Sequence, residues 1–235
     1  MALPALAEIT RALRRQHRDL RTPPPRNAFE WVLWENVAYL ADDAKRTEAF
    51  ALLKKTVGTA PGDVLAANNP TLLQVTRYGI VAPLFARKLR SAAELARDKF
   101  GGRVDRALSH DPAEAARQLR VFPGIGEPGA EKILVAIGRT RTLPLDSNGL
   151  RVLLRIGFGS SVRSYAATYR SVKAALALGR TSAKSLFTTH LLLQRHGRVV
   201  CKTSNPRCDA CLLLPMCAYG RSHIFPGGTG VTPTS

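Results

Sequence analysis

The chain has 235 residues, with 35 Lys or Arg against 17 Asp or Glu and a formal net charge of +18. That length is ample for a hydrophobic core and allows one or two domains, and with 45% hydrophobic and 22% charged residues the composition is not that of a disordered chain. A folded protein with this positive excess is suited to a polyanion, nucleic acid first and an anionic membrane surface second.

The membrane reading is the weaker one, because no apolar run approaches the about 18 residues of a spanning helix. The N-terminal stretch is amphipathic and Arg-rich, but it carries acidic residues and no continuous apolar segment, so it reads as neither a secretory signal nor a transit peptide. A soluble, cytoplasmic protein, monomeric and associated with the nucleoid, is expected. Nearly every element reads as helix. Leu6, Ile9, Leu13 and Leu20 follow a helical period that Thr22-Pro23-Pro24-Pro25 must end. A second helix is expected from about Phe29 to Leu40, with Phe29, Val32, Leu33, Asn36, Val37 and Leu40 on one stripe, and a third from Ala44 to Val57, stopped by Gly58. Asn69-Pro70 and Asp111-Pro112 place a cap before an N1 proline, and Glu114 completes a capping box. Gly179 and Gly197 read as glycines just past helix ends, and the stretch from 220 to 235, rich in Gly, Thr and Pro, reads as a disordered tail.

All four cysteines fall in one tract, Cys201-x6-Cys208-x2-Cys211-x5-Cys217. In an intracellular chain such a tract points to a metal rather than to disulfides. Four thiolates suit a tetrahedral zinc ion or an iron–sulfur cluster. Zinc ribbons usually pair two short knuckles, and here only Cys208-x2-Cys211 is short. The x6-x2-x5 order resembles the [4Fe–4S] loop of the endonuclease III group of DNA glycosylases, with His196-Gly197-Arg198 leading in and Asn205-Pro206-Arg207 before the second cysteine.

The segment from Leu119 to Gly138 resembles a helix-hairpin-helix. Pro123 ends one helix, Gly124 and Gly126 permit a tight turn with Ile125 between them, and the next helix begins at once. Amides at such a helix N-terminus hold a phosphate oxygen without reading a base.

Together these motifs are similar to the endonuclease III and adenine DNA glycosylase superfamily, over about residues 1 to 218. The resemblance implies an all-α protein of two helical domains with a DNA-binding cleft between them: residues 27–140 as a helical barrel ending in the hairpin (about 112–138), and residues 1–26 plus 141–219 around the cluster loop. It also implies that Asp146 is the catalytic carboxylate, and a [4Fe–4S] cluster on Cys201, Cys208, Cys211 and Cys217, with structural zinc as the alternative. Double-stranded DNA with a damaged or mispaired base is the implied partner. Gly124, Ile125, Gly126 and Lys132, with Lys202 and Arg207 of the cysteine loop, would lie on its phosphates.

Three positions depart from the endonuclease III pattern. Bifunctional members carry a lysine two residues after the second hairpin glycine, where this chain has Pro128, so the covalent lyase route is expected to be weak or absent. Glu35 falls on the glutamate that protonates the departing base in the adenine and mismatch branch. Asn148, in Asp146-Ser147-Asn148, falls on that branch's D-x-N asparagine. A desolvated Glu35 on an apolar helix would suit the acid role. Where the branch has Gln-rich gap-filling residues this chain has Tyr39-Leu40-Ala41-Asp42; Leu40 and Ile80 are expected to be apolar wedges. The residues beyond 219 leave no room for the domain with which adenine glycosylases read oxidised guanine, so another mismatch or lesion is expected. The resulting expectation is a monofunctional DNA N-glycosylase of base excision repair. The alternatives are a bifunctional glycosylase and lyase using Lys132, and a catalytically degenerate protein that binds DNA structurally.

Overall fold

Helix starts in this protein are set by short polar side chains. Asn27, Asp42, Asn68, Asp111, Asp146, Ser164 and Ser182 each accept a backbone N–H from the first turn of the helix that follows. Each such cap contributes about 1 kcal/mol. The structure, a computed structural model, describes residues 3–224, and among these there are helices, turns and no strand. No described helix is long and apolar enough to cross a membrane. The chain forms two units: one runs through Thr22 and resumes at Arg141, the other is Pro23–Thr140.

The Pro23–Thr140 unit holds α2 (Ala28–Val37), α3 (Asp43–Thr56), α4 (Pro61–Ala66), α5 (Asn69–Thr76), α6 (Ala82–Phe100), α7 (Val104–Ala107), α8 (Pro112–Leu119) and α9 (Glu127–Ala136). Helix α2 is apolar on every side, the pattern of a helix with no solvent face, and Phe29, Trp31, Val32, Leu33, Trp34 and Val37 are all buried. It packs against α3, α6, α7 and α9. At about 1.5–3 kcal/mol per buried large side chain this helix supplies much of the unit's core. Helix α2 stops at Val37, short of the expected Leu40, because Ala38 leaves helical geometry and Leu40 takes a left-handed φ of 60°. The cap of α5 is Asn68, one residue before the expected Asn69. Glu114 pairs with Arg117 instead of closing a capping box.

The other unit holds α1 (Leu6–Gln16), α10 (Ser147–Ile156), α11 (Tyr165–Ala174), α12 (Ala183–Val199), a 3₁₀ turn at Leu214–Met216 and α13 (Ala218–Ile224). Helix α10 packs on α11, α12 and α13, and α1 on α12. Helix α1 ends at Gln16, well before the prolines, because His17 leaves helical geometry and turns into the core. Gly197 lies inside α12 and is buried, so it does not end a helix. Residues 220–224 belong to α13, with Gly220 buried against the cysteine loop, so the expected tail does not begin at 220. Its remainder, 225–235, lies outside the described residues.

Candidate functional site

In the Pro23–Thr140 unit the hairpin is α8, a turn through 120–126, and α9. Phe122 and Ile125 are buried beneath the turn, so Ile125 anchors it rather than projecting outward. Gly124 takes φ +77°, and a Cβ there would lie 2.9 Å from Asn36 Oδ1. Asn36, on α2, donates its amide to Val32 O and Pro123 O, both at 2.9 Å, and so braces the turn from below. The N-cap of α9 is Gly126, which has no side chain to cover the first-turn amides; Pro128 contributes no N–H.

Lys132 stands one turn into α9. Its Nζ donates to Glu35 Oε1 on α2 at 2.6 Å, and the two side chains are 13% and 19% exposed. Glu35 is part-buried, as expected of a desolvated group, and it carries a cation that the sequence did not announce. An ammonium at this distance stabilises a carboxylate, not a carboxylic acid. Leu40 and Ile80 are 69% and 50% exposed, and their loops touch, Ile80 N donating to Tyr39 O at 3.3 Å. Leu40 and Val81 both hold left-handed φ angles of 60° and 51°, a conformation that costs a non-glycine residue about 1–2 kcal/mol.

In the other unit Asp146 is both the N-cap of α10 and the centre of a polar network. Its Oδ1 accepts Gly149 N at 2.8 Å, and its Oδ2 accepts Asn148 Nδ2 at 3.2 Å and Gln194 Nε2 at 2.9 Å. Burial works against the charge, but the Gly149 amide, the field of His190 and the two side-chain amides outweigh it and hold the carboxyl below its ordinary value. Asn148 is itself oriented: Arg151 Nη2 donates to its Oδ1 at 2.9 Å and to Gly197 O at 2.8 Å, and Arg151 Nε donates to Cys201 O at 2.9 Å. A Cβ at 197 would lie 2.7 Å from Asn148 O, so only glycine lets α12 approach this closely. Arg151 lies one turn after Asn148 in the sequence, whereas Gln194 carries no motif that would announce it.

The four cysteines line one pocket with Val152, Ile156, Leu213 and Tyr219. Arg155 Nη1 lies 3.4 Å from Cys201 Sγ and also donates to Lys202 O, while Gly220 N reaches Cys217 Sγ at 3.3 Å. His196 Nε2 is 3.4 Å from Cys211 Sγ, and its Nδ1 is 3.1 Å from Nε2 of the buried His17. Burial and the neighbouring His17 pull His196 down to about 3, so the ring is neutral. Burial first, then the other cysteines, push the Cys211 thiol up to about 11. Such a crowd of thiols suits a bound metal that takes the protons' place. Among the described residues no three His, Cys, Asp or Glu side chains converge on a point that one ion would occupy. Lys202 and Arg207 are exposed on the loop.

No family model matches the chain. It is similar to the endonuclease III of Sulfolobus acidocaldarius, 29% identical over 200 residues and 85% of each chain. It is also similar to that of Treponema pallidum, 28% identical over 193 residues, 82% of this chain and 84% of the other. Among solved structures it superposes on a trapped endonuclease III–DNA covalent intermediate with a TM-score of 0.72 at 21% identity, covering 93% of this chain and 97% of that one. A thermostable thymine-DNA glycosylase gives a TM-score of 0.72 at 15% identity, covering 92% and 95%.

Proposed function

We propose that the chain is a member of the endonuclease III superfamily of helix-hairpin-helix glycosylases, a reading that its endonuclease III relatives support, and that it is a monofunctional DNA N-glycosylase of base excision repair, nearer the adenine and mismatch branch. The observation that carries the reading is Asp146, a part-buried carboxylate held ionised by three neutral N–H donors. Breaking an N-glycosidic bond sends the electron pair to the base and leaves positive charge on the sugar. Asp146 stabilises that sugar cation until water adds to C1′, the water's proton passing to bulk solvent. Asn148 keeps Asp146 in place. The base leaves with a proton assigned to Glu35, whose contact with Lys132 must open or hand on a proton for this to happen.

Two features favour hydrolysis over lyase chemistry. Position 128 is proline, and the amine of Lys132 is committed to Glu35 rather than set out as a nucleophile. The hairpin amides after Gly126, with Lys202 and Arg207, are assigned to DNA phosphates, and the exposed Leu40 and Ile80 to the space left when the target nucleotide leaves the stack. The thiols of Cys201, Cys208, Cys211 and Cys217 line one pocket, and their x6-x2-x5 spacing, with a single short knuckle, supports a [4Fe–4S] cluster over one zinc ion. When bound, the cluster ties the loop from 201 to 217 into a fixed platform.

The test is a panel of duplexes carrying mispaired, oxidised and deaminated bases. Base release is expected on at least one, with strand breaks only after alkali and no protein–DNA adduct under borohydride. An adduct lost in Lys132→Gln would establish the lyase instead, and silence over the whole panel would leave a DNA-binding protein.

A further inference from the structure

Every third or fourth residue along one side of α12 grips the segment around Asp146. His190 Nδ1 meets Pro144 O at 2.9 Å, Gln194 Nε2 meets Asp146 Oδ2 at 2.9 Å, and Gly197 lies against Asn148. Positions 190, 194 and 197 share a helix face, so α12 presents Gln194 to the carboxylate between two fixed points. Gln194 is thus held in register with Asp146.

We propose that Gln194 is a positioning residue for Asp146, filling Oδ2 together with Asn148 so that Oδ1 is the oxygen that faces the reacting sugar. A carboxylate offers about four lone-pair sites. Oδ2 takes two donors, Asn148 and Gln194, while Oδ1 takes one, Gly149 N. The remaining site is on Oδ1. Because Gln194 is neutral, it fixes the carboxylate without cancelling the charge that the sugar cation needs; an Arg or Lys in its place would form an ion pair. The other groups facing Asp146 are His190 on α12, Tyr165 at the start of α11, whose ionisation burial and then Asp146 disfavour, and Arg151 on α10, which acts through Asn148. This deepens the glycosylase reading and rests on it.

Two full-chain variants test it: Gln194→Met, which keeps the length and removes the donor, and Gln194→Glu, nearly isosteric, which sets an acceptor against Oδ2. Carboxyl-carbon NMR on the DNA-free protein, with Asp146→Asn to assign the resonance, reads the protonation of Asp146 directly. The midpoint is expected below 3.8 in the wild type. It should rise by about one pH unit in Gln194→Met and further in Gln194→Glu. The same shift should appear in the acid limb of single-turnover base release on the panel duplex that the wild type processes best, with about a tenfold slower rate at neutral pH. An unmoved NMR midpoint overturns the proposal, and so does a slower rate with an unmoved acid limb, which would mark a merely structural residue. If the wild type releases no base from any duplex, the glycosylase reading fails by itself, while the NMR midpoint still decides whether Gln194 governs Asp146. Should Gln194→Met not fold, Gln194→Glu carries the same measurements.

Discussion

The two carboxylates assigned to the reaction are stabilised in opposite ways. Asp146 takes its hydrogen bonds from neutral donors, one backbone amide and two side-chain amides, with His190 acting on it only through its field. Glu35 has an ammonium on it at 2.6 Å, and the pair as a whole is neutral. Neutral donors orient a charge and leave it for a partner still to come, whereas an ion pair uses the charge up. On the proposed mechanism, the difference gives electrostatic stabilisation to Asp146 and makes Glu35 a group that must be released before it acts.

The strongest way to break this comparison is Asp146→Asn. It keeps a capping side chain, so folding is expected to persist, while base release should fall on the order of 10³-fold; activity within tenfold of wild type would remove Asp146 from the mechanism. Asp146 also sets an acid limit. Its folded value lies below the ordinary 3.8, so the stability it contributes is fully present above pH 3.8 and is lost only as pH falls through that lower folded value. Base release should accordingly show no loss attributable to Asp146 down to about pH 5, which a pH–rate profile would reveal.

Next comes Gly197→Ala. The added methyl would lie 2.7 Å from Asn148 backbone, and the main chain has to move to admit it. A loss of about 2–3 kcal/mol in denaturant unfolding is expected, together with weaker base release, since the displaced residue holds Asp146. On the Glu35 side, Lys132→Gln strands a half-buried carboxylate and should cost about 1–2 kcal/mol. Adding Glu35→Gln to Lys132→Gln should recover part of that loss, and a double-mutant cycle with no coupling would dissolve the pair. Leu40→Ser is the mildest: a side chain 69% exposed should change stability by less than about 0.5 kcal/mol. If it fills the gap left by a flipped base, base release should still slow by about tenfold while melting is unchanged.

Legibility followed distance along the chain. The helices were readable where their signals are local: Asp111 before Pro112, Gly58 after α3, the apolar sequence of α2. Misread ends have one cause, a residue diverted by a tertiary partner. His17 leaves α1 early to meet His196, and Gly197 sits mid-helix because Asn148 presses on it, not because a helix stops there. The hairpin, the cysteine tract and Asp146-Ser147-Asn148 were visible because backbone turns, ligand loops and a helix cap are written within a few residues of one another.

What the sequence by itself determined is therefore the helical class, the cysteine spacing, the glycines of the hairpin turn and the carboxylate at the start of α10. Only the tertiary structure decided what surrounds those groups. Gln194 reaches Asp146 across 48 positions, Lys132 reaches Glu35 across 97, and His17 reaches His196 across 179. A local motif specifies a backbone shape, but the charge state of a carboxylate is set by whichever donor packing delivers. At Asp146 packing delivered a neutral amide and at Glu35 an ammonium, and from that follows which of the two holds its charge ready for a sugar cation.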